Sequence, residues 1–111
     1  MRSKYNAVRT VVDGHSFASK AEARRYSELC ILQKSGEITD LKLQPRYPLV
    51  FTPRKGAEPV NVGTYVGDFW YRKRNGAGTT EDVKGVLTPV YRLKKRIVEA
   101  LYGITIVEVR R

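Results

Sequence analysis

The sequence predicts a mixed α/β fold in one small domain, with a central β-sheet flanked by helices. Two observations lead to this prediction. Two stretches combine helical apolar spacing with capping residues, and strand-like segments lie before, between and after them. The 111 residues suit a single domain, 1–111, and 41% of them are hydrophobic, as in a folded protein.

The chain begins with a predicted β-hairpin. Ala7 to Val12 can form a short strand, Asp13-Gly14 a two-residue turn, and His15 to Phe17 the return strand. His15 is the only histidine of the sequence. A general-base role is conceivable for it, but an exposed side chain beside a turn is the simpler interpretation.

A helix is predicted next. The capping-box pattern Ser19-Lys20-Ala21-Glu22 opens it, and it runs to about Ser35. Tyr26 and Leu29 share an inward face, and Glu22 lies on the same stripe. Glu22 therefore either completes the capping box or has a partner in the interior, because an unpaired buried carboxylate is unfavourable. The solvated side of the helix is expected to carry Arg24, Arg25 and Lys34.

Three extended segments follow, which we expect to be strands: Leu41 to Phe51, Val60 to Arg72, and Thr80 to Val86. The prolines of the first segment indicate an edge strand or a bulge. Asp68 interrupts the largely apolar row on one face of the second segment. An acid in that register indicates either a hydrogen-bonded structural role or a functional one.

The second helix starts at Thr88-Pro89, where an N-cap residue precedes a proline in the first helical position, and continues to about Tyr102. A closing strand spans Ile104 to Val109. The core-facing stripe of this helix is expected to comprise Val90, Leu93, Ile97 and Leu101.

The net charge of +10, from 21 Lys and Arg against 11 Asp and Glu, indicates a polyanionic partner. Nucleic acid is the first candidate, and structural RNA binding of the ribosomal kind stays open beside it. The predicted phosphate-binding residues are Arg72, Lys73, Arg74, Arg92, Lys94, Lys95 and Arg96.

Several classes of protein are disfavoured. No apolar run approaches the ~20 residues that span a bilayer, so no membrane partner is expected. The lone Cys30 excludes an intrachain disulfide, and one His with one Cys excludes a Cys/His zinc site. We therefore expect a cytoplasmic protein.

The candidate site lies around Asp82-Val83-Lys84. Side chains alternate on a strand, so Asp82 and Lys84 point the same way, with Asp68 on the neighbouring strand. Two carboxylates and a lysine suit Mg²⁺ and a phosphodiester, because Mg²⁺ takes few protein carboxylates besides waters and phosphate oxygens. The Val83 carbonyl is a possible further ligand, and Lys84 a group that orients water or neutralises charge. Glu22 is expected to bind a second metal or the metal-bound water. An exposed charge pair is the plain alternative.

These motifs, taken in order, resemble the PD-(D/E)xK nuclease superfamily. The arrangement is most similar to a small phage-borne, endonuclease I-like family of the Holliday junction resolvase type. The resemblance covers roughly residues 5 to 109, and four segments carry it: Ser19 to Ala23, Leu43 to Tyr47, Asp68 to Tyr71, and Glu81 to Gly85.

The resemblance implies a restriction-endonuclease-like core and a Mg²⁺-dependent DNA endonuclease, with Mn²⁺ as a substitute. It implies branched or junction DNA as substrate, a role in DNA recombination, and a homodimer in the host bacterial cytoplasm. The residues matching Asp68 and Asp82 bind metal there, the residue matching Glu22 completes the acidic cluster, and the residue matching Lys84 assists the nucleophile.

Two departures from the family pattern matter. Gly67 stands where the superfamily name has proline, and position 82 is Asp rather than the commoner Glu, which leaves Glu81 as a rival. Strand alternation favours Asp82, because Glu81 points away from Lys84. Gln44 is predicted to line the site. The alternative functions are a non-catalytic DNA- or RNA-binding module and a nicking or end-processing nuclease.

Overall fold

A computed structural model describes residues 9–84 and 86–110 of the protein. The described part is a mixed α/β structure. Its elements, in chain order, are β1 (Thr10–Val12), β2 (His15–Phe17), α1 (Lys20–Lys34), β3 (Ile38–Leu43), β4 (Arg46–Phe51), β5 (Val60–Val66), β6 (Phe69–Lys73), β7 (Gly78–Lys84), α2 (Pro89–Tyr102) and β8 (Ile106–Arg110).

A four-stranded mixed sheet, in the order β3-β6-β7-β8, forms the centre. Strand β6 is antiparallel to both β3 and β7, whereas β8 returns through α2 to pair parallel with β7. The hairpins β1-β2 and β4-β5 form two separate two-stranded sheets. The predicted mixed α/β class is confirmed, and the predicted first hairpin is confirmed from Thr10 onward; Ala7 and Val8 lie outside the described residues.

Helix α1 has the predicted ends. The Ser19 hydroxyl accepts a hydrogen bond from the Glu22 N–H at 3.1 Å, and the Glu22 carboxylate accepts one from the Ala18 N–H at 3.0 Å. At the other end, Gly36 adopts a left-handed φ of 84°, and the Glu37 N–H bonds the Leu32 carbonyl at 2.9 Å. Glu22 therefore contributes to the cap, one residue earlier than in the standard box.

Two of the three long strands predicted from sequence are broken, and the breaks lie side by side. The first ends at Gln44-Pro45 and the second at Gly67-Asp68, so β4 and β5 leave the central sheet together. Gln44 donates its N–H to the Asp68 carbonyl, and Gly67 donates to the Pro45 carbonyl, both at 2.9 Å. Pro45 lacks an N–H, which removes one bond of a continuous ladder and favours the break.

The interior consists of two clusters. One packs α1 against the central sheet through Phe17, Ala23, Tyr26, Leu29, Ile38, Phe69 and Tyr71. The other packs α2 against β4, β5 and β8 through Leu49, Tyr65, Tyr91, Val98 and Ile106.

The predicted core stripe of α2 is wrong at Val90, Leu93 and Leu101, whereas Ile97 packs against the second cluster as predicted. Val90 and Leu93 are 65% and 61% exposed, whereas Tyr91 and Val98 are buried. The Tyr91 hydroxyl donates to Glu108 on β8 at 2.9 Å, and this bond fixes the face that α2 turns to the sheet. A hydrophobic pattern does not register a tyrosine that anchors a helix through its hydroxyl, which is why the stripe was misassigned.

Candidate functional site

Asp68 lies in the bend between β5 and β6, at the point where the two broken strands meet. Its N–H donates to the Glu81 carbonyl at 3.0 Å, and its carboxylate accepts the Val83 N–H at 2.6 Å. The Phe69–Glu81 pair is the nearest pair of the β6–β7 ladder, so Asp68 comes next to Asp82. The predicted proximity of Asp68 to Asp82 thus depends on two strands joined by the hairpin turn.

The environment of Asp68 is acidic. Burial raises the pKa of the Asp68 carboxyl to about 9, with further increases from its hydrogen bond to Glu22 and from the charges of Asp82 and Glu22. Only the Val83 N–H lowers this pKa among the main contributors. When ionisation of two neighbouring carboxyls is unfavourable, the pair either shares a proton or binds a cation.

Glu22 therefore has both of the roles considered from sequence. Its carboxylate caps the start of α1 through Ala18, and it also contacts the carboxyl of Asp68. A cavity of about 480 Å³ opens beside the pair, and Gln44 lines it as well.

Asp82 and Lys84 lie on one face of β7, as alternation predicts. Lys84 Nζ is 3.0 Å from Asp82 Oδ1, and it sits 4.3 Å from the centre of the Tyr91 ring. Asp82 is only 2% exposed, and the Tyr65 hydroxyl donates to its other oxygen. A second cavity, of about 330 Å³, is lined by Asp82, Lys84 and Lys94 among others.

Glu81 is equally buried, at 1% exposure, but has different partners. The Arg25 guanidinium binds its carboxylate with two nitrogens at 2.8 and 2.6 Å, and the Tyr71 hydroxyl donates at 2.6 Å. The hydrogen bond to Glu81 raises the pKa of Arg25, so the guanidinium stays charged. The prediction that Arg25 belongs to the solvated side of α1 is wrong.

Gly67, the departure from the family pattern, has a structural reason. A Cβ there would lie 3.1 Å from the Thr80 side chain and 3.2 Å from the Pro45 ring. Proline would in addition lose the N–H that bonds the Pro45 carbonyl. The close approach of the two breaks therefore favours glycine.

The residues around Asp68 and Asp82 fit a magnesium ion in their donor chemistry. Mg²⁺ needs only one or two protein carboxylates, since waters and substrate oxygens complete its octahedron. In residues 9–84 and 86–110, however, no group of three or more Asp, Glu, His or Cys side chains converges closely enough to hold a metal. Glu22, Asp68 and Asp82 as one ligand set, with the Val83 carbonyl added, stays a prediction.

The predicted phosphate-binding residues fall into separate places. Lys94 lines the cavity of Asp82 and Lys84, whereas Arg92, Lys95 and Arg96 line another cavity of about 430 Å³. Lys95 already pairs there with Glu108 at 3.4 Å.

The remaining basic cluster lies near the β6–β7 turn, away from Asp68 and Asp82. Arg72 bonds Asp40 at 3.3 Å and Arg74 bonds Glu37 at 3.5 Å, while Lys73 ends β6. Asp68 precedes the other end of β6, so it lies about 13 Å along the strand from Arg72, at ~3.3 Å per residue. These residues therefore do not surround the carboxylates.

Sequence reasoning missed several residues that support the site. Tyr65 bonds Asp82, Tyr91 underlies Lys84, and Arg25 with Tyr71 satisfies Glu81. One signal for the last set was present: an acid adjacent to Asp82 on a central strand points to the other face and needs its own cation there.

Comparison with known proteins yields one match. The family model described as "Protein of unknown function (DUF1064)" matches residues 2–108. No curated protein and no solved structure matches the chain. In the described part of the chain, neither helix is long and apolar enough to cross a membrane.

Proposed function

The chain belongs to the DUF1064 family, and from its residues we propose that it is a Mg²⁺-dependent DNA endonuclease that hydrolyses phosphodiester bonds. The observation that carries the proposal is the position of the Asp68 carboxyl, which contacts Glu22, adjoins Asp82 and lines a cavity of about 480 Å³. Burial among these acids raises its pKa to about 9. A cation bound there would relieve the repulsion, and perturbed carboxyls beside a cavity are typical of catalytic sites.

Each residue has a role that follows from its position. Mg²⁺, when bound, supplies Lewis-acid polarisation of the phosphate and an acidified water. Asp68 and Asp82 would hold the cation, and Glu22 would complete their acidic surroundings. Lys84, kept 3.0 Å from Asp82 and over the Tyr91 ring, presents an ammonium to the charge that develops on the phosphate.

The +10 net charge supports a nucleic-acid substrate. Among DNA forms we propose branched DNA, on the resemblance of the four ordered motifs to junction-resolving nucleases. Lys94 is the basic side chain best placed to contact phosphate near Lys84, because both line the same cavity. We also propose that the protein acts in the cytoplasm of the host cell.

We also propose a homodimer, since two cuts in a junction need two sites. The exposed apolar side chains of α2, Val90, Leu93 and Leu101, offer contact surface for a second copy. Sedimentation of wild type and of Leu93→Ser tests this, and a wild-type monomer at all concentrations would contradict it.

The decisive experiment compares cleavage and binding in the same variants. Asp82→Asn and Lys84→Ala are expected to lose Mg²⁺-dependent cleavage of a four-way junction by about a thousandfold. Salt-sensitive binding measured in EDTA should persist. Glu58→Gln and Lys55→Ala, which make matched charge changes at exposed loop positions, are expected to cut like wild type.

The substrate panel separates the alternatives. Four-way junctions, flaps, linear duplex and single strands should be compared with Mg²⁺ and with Mn²⁺. Preference for flaps or ends would indicate a nicking or end-processing nuclease instead. Tight binding of every form with no cleavage by wild type would refute the enzyme and leave a non-catalytic DNA- or RNA-binding module.

A further inference from the structure

The cavity of about 480 Å³ beside Asp68 has a lining that phosphate chemistry does not require. Phe17 and Leu43 give it apolar wall. The other residues that line it are polar or charged: His15 of the exposed hairpin β1-β2, Ser16, Glu22, Lys42, Gln44 and Asp68. Its volume lies within the ~300–1,000 Å³ typical of small-ligand sites. A mixture of apolar wall, amide and aromatic ring suits a flat heteroaromatic group better than it suits a phosphate.

Gln44 is held in an unusual conformation. Its backbone φ of 53° is left-handed, a region that residues other than glycine, asparagine and aspartate rarely adopt. The following Pro45 restricts the backbone of Gln44 further. Its N–H bonds the Asp68 carbonyl at 2.9 Å, so the backbone of Gln44 is anchored to the bend that carries Asp68. Glycine would fit this backbone without strain, and a strained glutamine beside a cavity points to a use for its amide.

His15 supplies an exposed ring at the same cavity. The ring meets Tyr26 edge-on, with centroids 5.6 Å apart, and Phe17 lies 6.4 Å away. Tyr26 and Phe17 are buried, so they hold the histidine ring while much of it remains exposed. Exposed rings anchored in this way are common stacking platforms for unpaired bases.

We propose that this cavity takes one unpaired nucleobase of the DNA substrate. The Gln44 amide, which both donates and accepts, bonds the edge of the base, and the His15 ring stacks on its face. The inference rests on the proposed function, because the cavity adjoins Glu22 and Asp68. Only a base that has left the helical stack can enter, so the cavity would favour branch points, where bases unpair at little cost.

The test is made by binding in EDTA, so it does not depend on cleavage. Four-way junctions carry an abasic nucleotide at one position at a time around the branch. Wild type is expected to bind one such junction about tenfold more weakly than the intact one, as the loss of one stacked base implies. At the same position, 2-aminopurine should become brighter on binding, because it leaves the stack.

Two glycine substitutions make the comparison specific. Gln44→Gly should bind the intact and abasic junctions within about twofold of each other, with an unchanged or higher melting temperature because strain is relieved. Asp40→Gly is the matched control: Asp40 has a left-handed φ of 58° outside the cavity, so this variant should keep the tenfold ratio. His15→Ala should reduce the ratio as Gln44→Gly does.

The outcomes are distinct from those of the nuclease test. No abasic position with a penalty, a tenfold ratio retained by Gln44→Gly, or no binding of junctions at all would each overturn the base cavity. The expected ratios in a protein that never cuts DNA would support the cavity while refuting the nuclease.

Discussion

Two neighbouring residues of β7, Glu81 and Asp82, are equally buried, and each has one cation and one tyrosine hydroxyl as partners, but only Asp82 also adjoins another acid. Glu81, at 1% exposure, is gripped by the Arg25 guanidinium and the Tyr71 hydroxyl. Asp82, at 2% exposure, adjoins Asp68, whose own carboxyl contacts a third acid, Glu22. We call these the paired face and the crowded face of the strand.

Burial of an acid is therefore not a sign of function by itself. A buried carboxylate with a bidentate arginine and a tyrosine is satisfied, and it links α1 to β7. On the crowded face, Lys84 offsets Asp82, but Asp68 retains a raised pKa. The paired face also supports the crowded one, because Arg25 follows Glu22 by one turn of α1 and Glu81 adjoins Asp82.

The largest expected effect comes from breaking the paired face. Arg25→Ala leaves Glu81 buried without its guanidinium, so the free energy of unfolding should fall by about 3–5 kcal/mol. Urea denaturation measures this, with Arg24→Ala, an exposed neighbour, expected to change stability by less than about 0.5 kcal/mol. Equal losses of unfolding free energy in the two variants would show that the Arg25–Glu81 ion pair does not contribute to stability as proposed.

A change of pH should reveal the crowded face. The folded pKa of Asp68, about 9, lies above the ordinary aspartate value of 3.8, so between these values the folded state holds the extra proton. The stabilising contribution is therefore complete below pH 3.8 and is lost as pH rises toward 9. Relative to Asp68→Asn, which mimics the protonated acid, wild type in metal-free buffer should lose roughly 1 kcal/mol per pH unit between pH 5 and 8.

That measurement has an internal check. Asp40→Asn, at an exposed acid, should follow the pH dependence of wild type. Parallel curves for wild type and Asp68→Asn would mean that Asp68 ionises normally, and the crowded face would lose its distinguishing property.

The smallest effects come from the two tyrosines, one on each face. Tyr71→Phe and Tyr65→Phe each remove one hydrogen bond to a buried carboxylate, and each should lower stability by about 1–2 kcal/mol. The proposed DNA cleavage should distinguish the two variants. Tyr65→Phe is expected to slow cleavage about tenfold, because Tyr65 positions Asp82, and Tyr71→Phe by less than about twofold. Similar cleavage rates in the two variants would argue against a functional difference between the faces.

Much of the fold was readable because its signals are local. Ser19 and Thr88 begin the two helices and Gly103 ends the second, since caps satisfy backbone groups within one turn. Alternation also placed Asp82 with Lys84, because neighbouring residues of a strand point to opposite sides.

The errors arose where a distant partner decides the outcome. The breaks at Gln44 and Gly67 depend on hydrogen bonds between segments more than twenty residues apart in the chain. Arg25 looked solvated because its partner, Glu81, lies 56 positions away. On α2, Val90 and Leu93 are exposed, whereas Tyr91 is buried and bonds Glu108, 17 positions away.

The sequence by itself determined the α/β class, the helix ends, the positive charge and the candidate residues Asp68, Asp82 and Lys84, since composition, caps and strand alternation act over short distances. Only the tertiary structure decided that Glu81 is bound by the Arg25 guanidinium, whereas Asp82 pairs with Lys84 and adjoins the carboxyl of Asp68. Electrostatic partners are chosen by proximity in space, and the packing of α1 against the sheet gives Arg25 to Glu81 and brings Glu22 to Asp68.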